Sequence, residues 1–136
     1  MKTKCVKVCI EKGTDGSYSA YTDRRDLPYG LVGEGKTVKE VLADFYSAYE
    51  DMRKAYQENG EPFPEASFVF HYDVPSFLQY FSSAFSLAGL ERITGINQKQ
   101  LGHYLSGYRK PSSRTIRKLE KGIRSFCDEL SAIRFL

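Results

Sequence analysis

The first half of the chain has hydrophobic positions with a period of two at its start. Val6, Val8 and Ile10 alternate with polar or small side chains, a pattern typical of a half-buried strand. The stretch 18–22 alternates in the same way, and the segment between the two, 13–16, is rich in glycine and Asp. Glycine and Asp favour tight turns, so the sequence predicts a β-hairpin at the start of the chain.

A helix and further strands are predicted after the hairpin. Residues 29–34 form a plausible third strand, in which the glycines indicate either a bulge or a loop. Thr37 and Glu40 have capping-box spacing, so a helix is expected to begin at Val38. Its hydrophobic positions step by three and four: Val38, Val41, Leu42, Phe45, Tyr49, Met52 and Tyr56. The alternation in 68–72 predicts a fourth strand, which gives residues 1–73 the order ββ(β)αβ.

The hydrophobic period changes from two to 3.6 at 73–76, and a second, all-helical domain is expected over residues 74–136. The chain is therefore predicted to be an α+β protein of two small domains. One set of apolar residues near its end is spaced by alternating threes and fours: Ile116, Leu119, Ile123, Phe126, Leu130 and Ile133. This coiled-coil-like seam packs either inside the domain or across the two-fold axis of a homo-oligomer.

Charge is distributed unevenly between the two halves. Residues 1–73 hold 10 Lys and Arg against 13 Asp and Glu, whereas residues 74–136 hold 10 against 4. The 28 residues between Glu91 and Glu120 contain no acidic residue, but they contain seven cations: Arg92, Lys99, Arg109, Lys110, Arg114, Arg117 and Lys118. A basic window without acids indicates a polyanionic partner.

The same window contains an ordered motif, ITGINQKQLGHYLSGYRKPS. Gly95 is expected to end one helix, Ile96 to fill the corner, and Asn97 to cap the next helix. Leu101 and Leu105 should face inward, and Gly107 should end the second helix. This order indicates a helix-turn-helix.

Two groups of residues are then the candidates for contact with DNA. Polar side chains at the start and on the free faces of the second helix could reach base edges: Asn97, Gln98, Lys99, Gln100, His103 and Tyr104. Side chains in and after the following loop could hold phosphates: Tyr108, Arg109, Lys110, Ser112, Ser113 and Arg114. A helical bundle with a solvated basic face would explain the cations alone, but not the glycine turn, capped helix and basic loop together. RNA binding by the basic half stays open as an alternative.

Residues 76–123 resemble the lambda-repressor and Cro-type helix-turn-helix family. The resemblance is carried by the turn glycine, the capping residue two later, and the tail Leu105-Ser106-Gly107-Tyr108-Arg109-Lys110-Pro111-Ser112. That family often has Gln where this chain has Leu87, so a contact from that position is not expected. Ser86 is expected to cap the helix and leave its N–H groups for phosphate.

The first half is similar to the HicB family of antitoxins. The similar stretches are DGSYSAY at 15–21 and LPYGLVGEGKTVKEVLADF at 27–45, followed directly by the helix-turn-helix. The resemblance implies an inactive, partial RNase H-like domain that binds and blocks a HicA-type mRNA-cleaving toxin, and a second domain that represses the operon by binding operator DNA. Tyr21 and Tyr29 would suit the toxin interface, or they could simply fill the core. A homodimer or higher homo-oligomer is expected.

Catalysis, metal binding and membrane insertion are not expected. The carboxylates of Asp15, Asp23, Asp26 and Glu34 fall in predicted turns or loops, whereas a two-metal nuclease needs converging carboxylates. His71 and His103 have no Cys or second His nearby, so no metal or cofactor site is predicted.

The cysteines and the lack of an apolar segment suggest where the protein works. Cys5 and Cys9 lie four apart on a strand, with Cα atoms about 13 Å apart and outside disulfide reach. A cytoplasmic protein with free thiols is expected. The alternative to an antitoxin is a stand-alone, phage-repressor-like regulator whose first domain senses a ligand or mediates oligomerisation.

Overall fold

A computed structural model describes residues 3–136 and divides the chain into two compact units, one ending at Tyr80 and one spanning Phe81–Leu136. The boundary lies seven residues after the junction expected at 73/74, because the helix Val74–Tyr80 belongs to the first unit. This helix packs with the first unit, where the side-chain oxygen of Gln79 accepts a hydrogen bond from the Val38 N–H at 2.9 Å. The helical period was visible in the sequence, but the surface that this helix covers was not.

The first unit is a four-stranded mixed sheet with helices. Its elements are β1 (Lys4–Lys12), β2 (Tyr18–Thr22), β3 (Val32–Gly35), α1 (Val38–Glu58), β4 (Ala66–Tyr72) and α2 (Val74–Tyr80). The strand order is β3-β2-β1-β4, with β1 antiparallel to β2 and parallel to β4. The α+β class and the predicted order of strands and helix are confirmed. The third strand begins at Val32 instead of residue 29, because Tyr29 and Leu31 are buried in the core ahead of it.

The core of this unit lies between α1 and one face of the sheet. Its fully buried side chains include Val6, Val8, Ile10, Ala20, Leu31, Val38, Val41 and Phe45. Gly33 of β3 lies directly against α1, where an added Cβ would be 2.5 Å from the main-chain oxygen of Val41 and 2.8 Å from the Phe45 nitrogen. This glycine is therefore required by a close approach of helix and strand, not by a bulge or a loop.

The start of α1 has the predicted cap. The Thr37 hydroxyl accepts a hydrogen bond from the Glu40 N–H at 3.2 Å. The Glu40 carboxylate accepts from the Lys36 N–H at 2.7 Å, one residue before the N–H used in the usual capping box. Both interactions stabilise the turn between β3 and α1.

The second unit is helical. A short 3-10 turn, Phe81–Ser83, precedes α3 (Leu87–Thr94), α4 (Gln98–Ser106) and α5 (Ser113–Ser131). Helix α5 crosses α3 at Gly122, where an added Cβ would be 2.6 Å from the Ile93 oxygen. The ammonium group of Lys118 lies 3.4 Å from the Gly95 oxygen, so this cation of the acid-free window serves the contact of α5 with the end of α3.

The apolar seam on α5 is only partly buried. Leu119 is buried, but Ile116, Leu130 and Ile133 are 38%, 50% and 48% exposed, and Ile133 lies beyond the end of the helix. Packing inside the chain therefore does not account for the whole seam. Its use between two copies of the chain stays a prediction.

Cys5, Cys9 and Cys127 are all free thiols. Among residues 3–136, no helix combines the length and the apolar character needed to cross a lipid bilayer.

Candidate nucleic-acid interface

Three residues, 95–97, join α3 to α4. Gly95 has a left-handed backbone, with φ of 74°, and its N–H donates to the Glu91 oxygen at 2.8 Å. Ile96 is buried at the corner, and Ser86 caps the start of α3 by accepting from the Gly89 N–H at 2.9 Å. The expectations for the turn glycine, the corner residue and the Ser86 cap are confirmed.

The first main-chain N–H groups of α4 are occupied from within the chain. The side-chain oxygen of Asn97 accepts from the Lys99 N–H at 2.8 Å, as the expected cap. The carboxylate of Glu91 accepts from the Gln98 N–H, also at 2.8 Å. These two N–H groups are therefore not available to a ligand. The side chains of Gln98 and Lys99 are exposed and make no hydrogen bond within residues 3–136.

Tyr104 does not lie on the reading surface, and its expected contact with a base is wrong. Its side chain is buried beside Leu101, because the inward stripe of α4 runs through positions 101, 104 and 105. Its hydroxyl accepts a hydrogen bond from the side-chain amide of Gln100. Tyr104 therefore packs in the core of the second unit, and its hydroxyl orients the Gln100 side chain.

Tyr108 belongs to the segment that was expected to lie along phosphates, and its ring is placed to do more than that. It is 72% exposed. The ring of half-buried His103 lies 5.0 Å from the Tyr108 ring between centroids, and the Arg109 guanidinium carbon lies 5.9 Å from the same ring. An exposed aromatic ring in contact with an imidazole and near a guanidinium can pack against a sugar or stack on a base. Its position directly after Gly107, in a basic segment, indicated a place near phosphates but not a contact with a base.

The basic loop leads into the start of α5. Arg109, Lys110 and Arg114 are all exposed. Ser112 is the N-cap of α5, since its hydroxyl accepts from the Thr115 N–H at 3.2 Å. The predicted phosphate contact of Ser112 is therefore secondary to a structural role, and the cations at 109, 110 and 114 are the better candidates.

The charge of the acid-free window is not neutralised inside the protein. The ion pairs described within residues 3–136 include Arg25 with Asp23 and Arg53 with both Glu50 and Glu65, all in the first unit. The cations of the window form none of them. Unpaired cations on one unit produce a positive potential that attracts a polyanion.

The two tyrosines proposed for toxin binding differ in burial. Tyr29 is buried, its ring stacks on Phe63 at 5.3 Å, and its hydroxyl donates to the Pro64 oxygen at 2.6 Å. Burial raises the pKa of Tyr29 to about 12. The expectation that Tyr29 is a surface anchor is wrong, because it belongs to the core. Tyr21 is 37% exposed, and its hydroxyl donates to the Glu11 carboxylate at 2.6 Å, so it stays a candidate.

The carboxylates of Asp15 and Asp23, in the first unit, interact with residues close to them in the sequence. Asp15 accepts hydrogen bonds from the N–H and the hydroxyl of Ser17, and Asp23 pairs with Arg25. The Arg25 guanidinium holds the pKa of Asp23 down at about 2. Across the described chain, no group of three or more His, Cys, Asp or Glu side chains is placed to hold a metal ion.

Comparisons of the chain with protein-family models, with curated proteins and with solved structures find no match.

Proposed function

We propose that the second unit binds double-stranded operator DNA and that the first unit binds a HicA-type toxin. The chain would then be the antitoxin of a type II toxin–antitoxin system and would repress its own operon. The observation that carries the DNA-binding part is that Gln98 and Lys99 are exposed at the start of α4, while Arg109, Lys110 and Arg114, which follow this helix, are exposed and make no ion pair among the described residues.

The α3–turn–α4 geometry suits insertion of α4 into the major groove. Gln98 and Lys99 project from its N-terminal end, the part of such a helix that reaches base edges. Gln100, with its amide held by Tyr104, presents a defined orientation to a base. Arg109, Lys110 and the positive N-terminal end of α5 would contact phosphates on either side.

Substitution of Gln98 by Ala is expected to relax base preference without abolishing binding. A lost bidentate contact would reduce discrimination against the wrong base pair by roughly 1 to 3 kcal/mol. Arg109→Ala is the contrasting variant, because loss of a phosphate contact should weaken binding to all duplexes and lower the salt slope by about one. Fluorescence anisotropy on duplexes that differ at single base pairs measures both. If the two variants behave alike, the assignment of reading and phosphate residues is wrong.

The toxin-binding part is supported by charge and by the HicB-like motifs. Residues 1–73 carry a formal charge of −3, and residues 74–80 add none. An acidic unit is complementary to the basic surface that an RNA-cleaving protein needs, and such complementarity favours fast and specific association. Tyr21 supplies a partly exposed aromatic side chain of the kind enriched in interfaces.

Co-expression with the adjacent reading frame tests this part. We expect a small basic protein to co-purify with the chain and its growth inhibition to be relieved. Tyr21→Ala should weaken the complex, whereas Tyr18→Phe, in the buried face of the same strand, should leave it intact. If no neighbouring product binds, the stand-alone regulator is the better account.

Operator recognition would use a homo-oligomer. A two-fold axis near the exposed part of the α5 seam could place two recognition helices about 34 Å apart, one turn of DNA. In an antiparallel pairing of two α5 helices, the acidic Asp128 and Glu129 of one copy would lie towards the basic first half of the other. Opposite charges in that arrangement favour association.

A further inference from the structure

The outer edge of the sheet is formed by β4, which pairs with β1 on its other side. The hydrogen bonds at the two ends of this ladder run from the Lys4 N–H to the Glu65 oxygen, at 3.4 Å, and from the Asp73 N–H to the Ile10 oxygen, at 2.9 Å. Main-chain groups alternate in direction along a strand, so odd-numbered residues of β4 bond to β1. The main-chain groups of even-numbered residues therefore point away from the sheet.

These outward groups are not all equivalent. The N–H of Ala66 donates to the Tyr49 hydroxyl at 3.0 Å, and the Ala66 oxygen lies 3.3 Å from the same hydroxyl. Tyr49 thus occupies one end of the edge. The N–H and C=O groups of Phe68 and Phe70, in the centre, have no partner within residues 3–136. A row of free donors and acceptors on an edge strand is a template for another strand.

The β4 edge also lacks the features that usually discourage pairing. Its seven residues, ASFVFHY, include no Lys, Arg, Asp, Glu or Pro. The opposite edge, β3, is four residues long and contains two glycines and Glu34. Short edges and charged side chains protect a sheet from edge-to-edge association, so β3 is protected and β4 is open.

We propose that β4 pairs antiparallel with β4 of a second copy of this chain, about a two-fold axis at Val69. In that register Phe68 lies opposite Phe70 of the other copy, and the pair exchanges both N–H···O=C bonds on each side of the axis. The main-chain groups of Phe68 and Phe70 are then satisfied. If the two-fold axis lay at Phe68 instead, Phe70 would lie opposite Ala66 of the other copy. The main-chain groups of Ala66 are already bonded to Tyr49.

The side chains agree with this register. On the helix side, Phe68 and Phe70 form aromatic cross-strand pairs, which stabilise antiparallel sheets. Beside them Tyr46 is 45% exposed, with ring centroids 6.1 and 6.2 Å from those of Phe68 and Phe70, so a second copy would cover an apolar strip. On the other face Val69, 49% exposed, would meet its own copy.

Polar groups near the axis are also compatible with pairing. Ser67 of one copy would lie opposite His71 of the other, where a hydroxyl and an imidazole can hydrogen-bond. At the strand ends, Glu65 would approach Asp73. The Glu65 carboxylate is already paired with Arg53, and the Asp73 carboxylate accepts from the Lys12 and Ser76 N–H groups, each at 2.9 Å. Each of these carboxylates therefore already has a partner within its own copy.

Disulfide trapping in the full-length chain tests the register. With Cys5, Cys9 and Cys127 replaced by Ser, Val69→Cys would place two thiols at a non-hydrogen-bonded pair, with Cα atoms about 4.5 Å apart, within disulfide range. Val32→Cys on β3 is the matched control, since Val32 is 55% exposed on the other edge. Under mild oxidation we expect a reducible covalent dimer from Val69→Cys and monomer from Val32→Cys. Equal cross-linking of the two, or none, would overturn the proposal.

Sedimentation of variants with native cysteines gives a second measurement. Val69→Lys would place two ammonium groups opposite each other at the axis, and the mass of the assembly is expected to fall by half. Val32→Lys should leave the mass unchanged. A Val69→Lys variant that keeps the wild-type mass would contradict pairing through β4. A purified wild-type chain that sediments as a monomer would also contradict it, and would leave the β4 edge to a different protein.

Discussion

Replacement of Arg109, Lys110 and Arg114 by Ala in one variant is expected to weaken DNA binding by roughly a hundredfold or more at moderate salt. The three side chains are exposed, lie in the loop before α5 and in its first turn, and make no ion pair within the described chain. Each lost phosphate contact also removes one released counterion, so the slope of log affinity against log salt should become shallower by about 2.7. Titration at several salt concentrations measures both quantities.

The control for this variant removes the same charge from the same unit. Arg117, Lys121 and Arg124 lie on a face of α5 that also carries Glu120 and Asp128. Opposite charges beside these cations reduce the potential they present to phosphate. Their replacement by Ala should change affinity only a few-fold. Equal losses in the two variants would mean that binding follows net charge alone, against a defined contact surface.

Gly33→Ala is expected to destabilise the first unit by about 1 to 3 kcal/mol. The added Cβ would lie 2.5 Å from a main-chain oxygen and 2.8 Å from a main-chain nitrogen of α1. Because both neighbours are backbone atoms, relief requires the helix to move away from β3. A loss of 1 kcal/mol corresponds to a drop in Tm of about 4 to 8 °C for a domain of this size.

Gly30→Ala is the control for that substitution. A Cβ at Gly30 would meet nothing within 4 Å, and this glycine has no positive φ. Its substitution should be neutral within about 0.5 kcal/mol or slightly stabilising. The chain has no Trp, so far-ultraviolet circular dichroism is the suitable probe of unfolding. Equal melting temperatures for the two variants would contradict the close approach of β3 and α1.

The element order could be predicted because it depends on local patterns. Alternation marks β1 and β2, a three-four spacing marks α1, and the residues that end or cap helices act within one turn of their own position. Thr37, Ser86, Asn97 and Gly95 all have the predicted roles in the structure. These interactions need no knowledge of distant parts of the chain.

The errors arise where a partner distant in sequence decides. Tyr29 is in the core because Phe63 and the Pro64 oxygen meet it there, which composition cannot show. The segment 74–80 has a helical period, but its packing with the first unit depends on the folded surface. Gly33 and Gly122 are visible in the sequence, whereas the backbone atoms that exclude a side chain at each of them are not.

The candidate site was predicted in outline and corrected in detail. The acid-free window, the turn and the exposed Gln98 follow from residue order. The sequence predicts that Leu101 and Leu105 form the inward stripe of α4. In the structure Leu101 and the larger Tyr104 are buried, and Leu105 is only half-buried. Positions three and four apart both fit a helical stripe, so the choice between 104 and 105 is made by packing. The exposed tyrosine ring in this part of the chain is that of Tyr108, in the loop after α4.

The central claim is that this chain recognises a particular duplex DNA sequence through α4. The most direct test is a competition titration of the full-length protein on the duplex upstream of its own reading frame, against a scrambled duplex and an RNA of the same sequence. We predict a preference of about a thousandfold or more for the upstream duplex over the scrambled one, reduced in the Gln98→Ala variant. Equal affinity for the three nucleic acids, or a preference for the RNA, would contradict it.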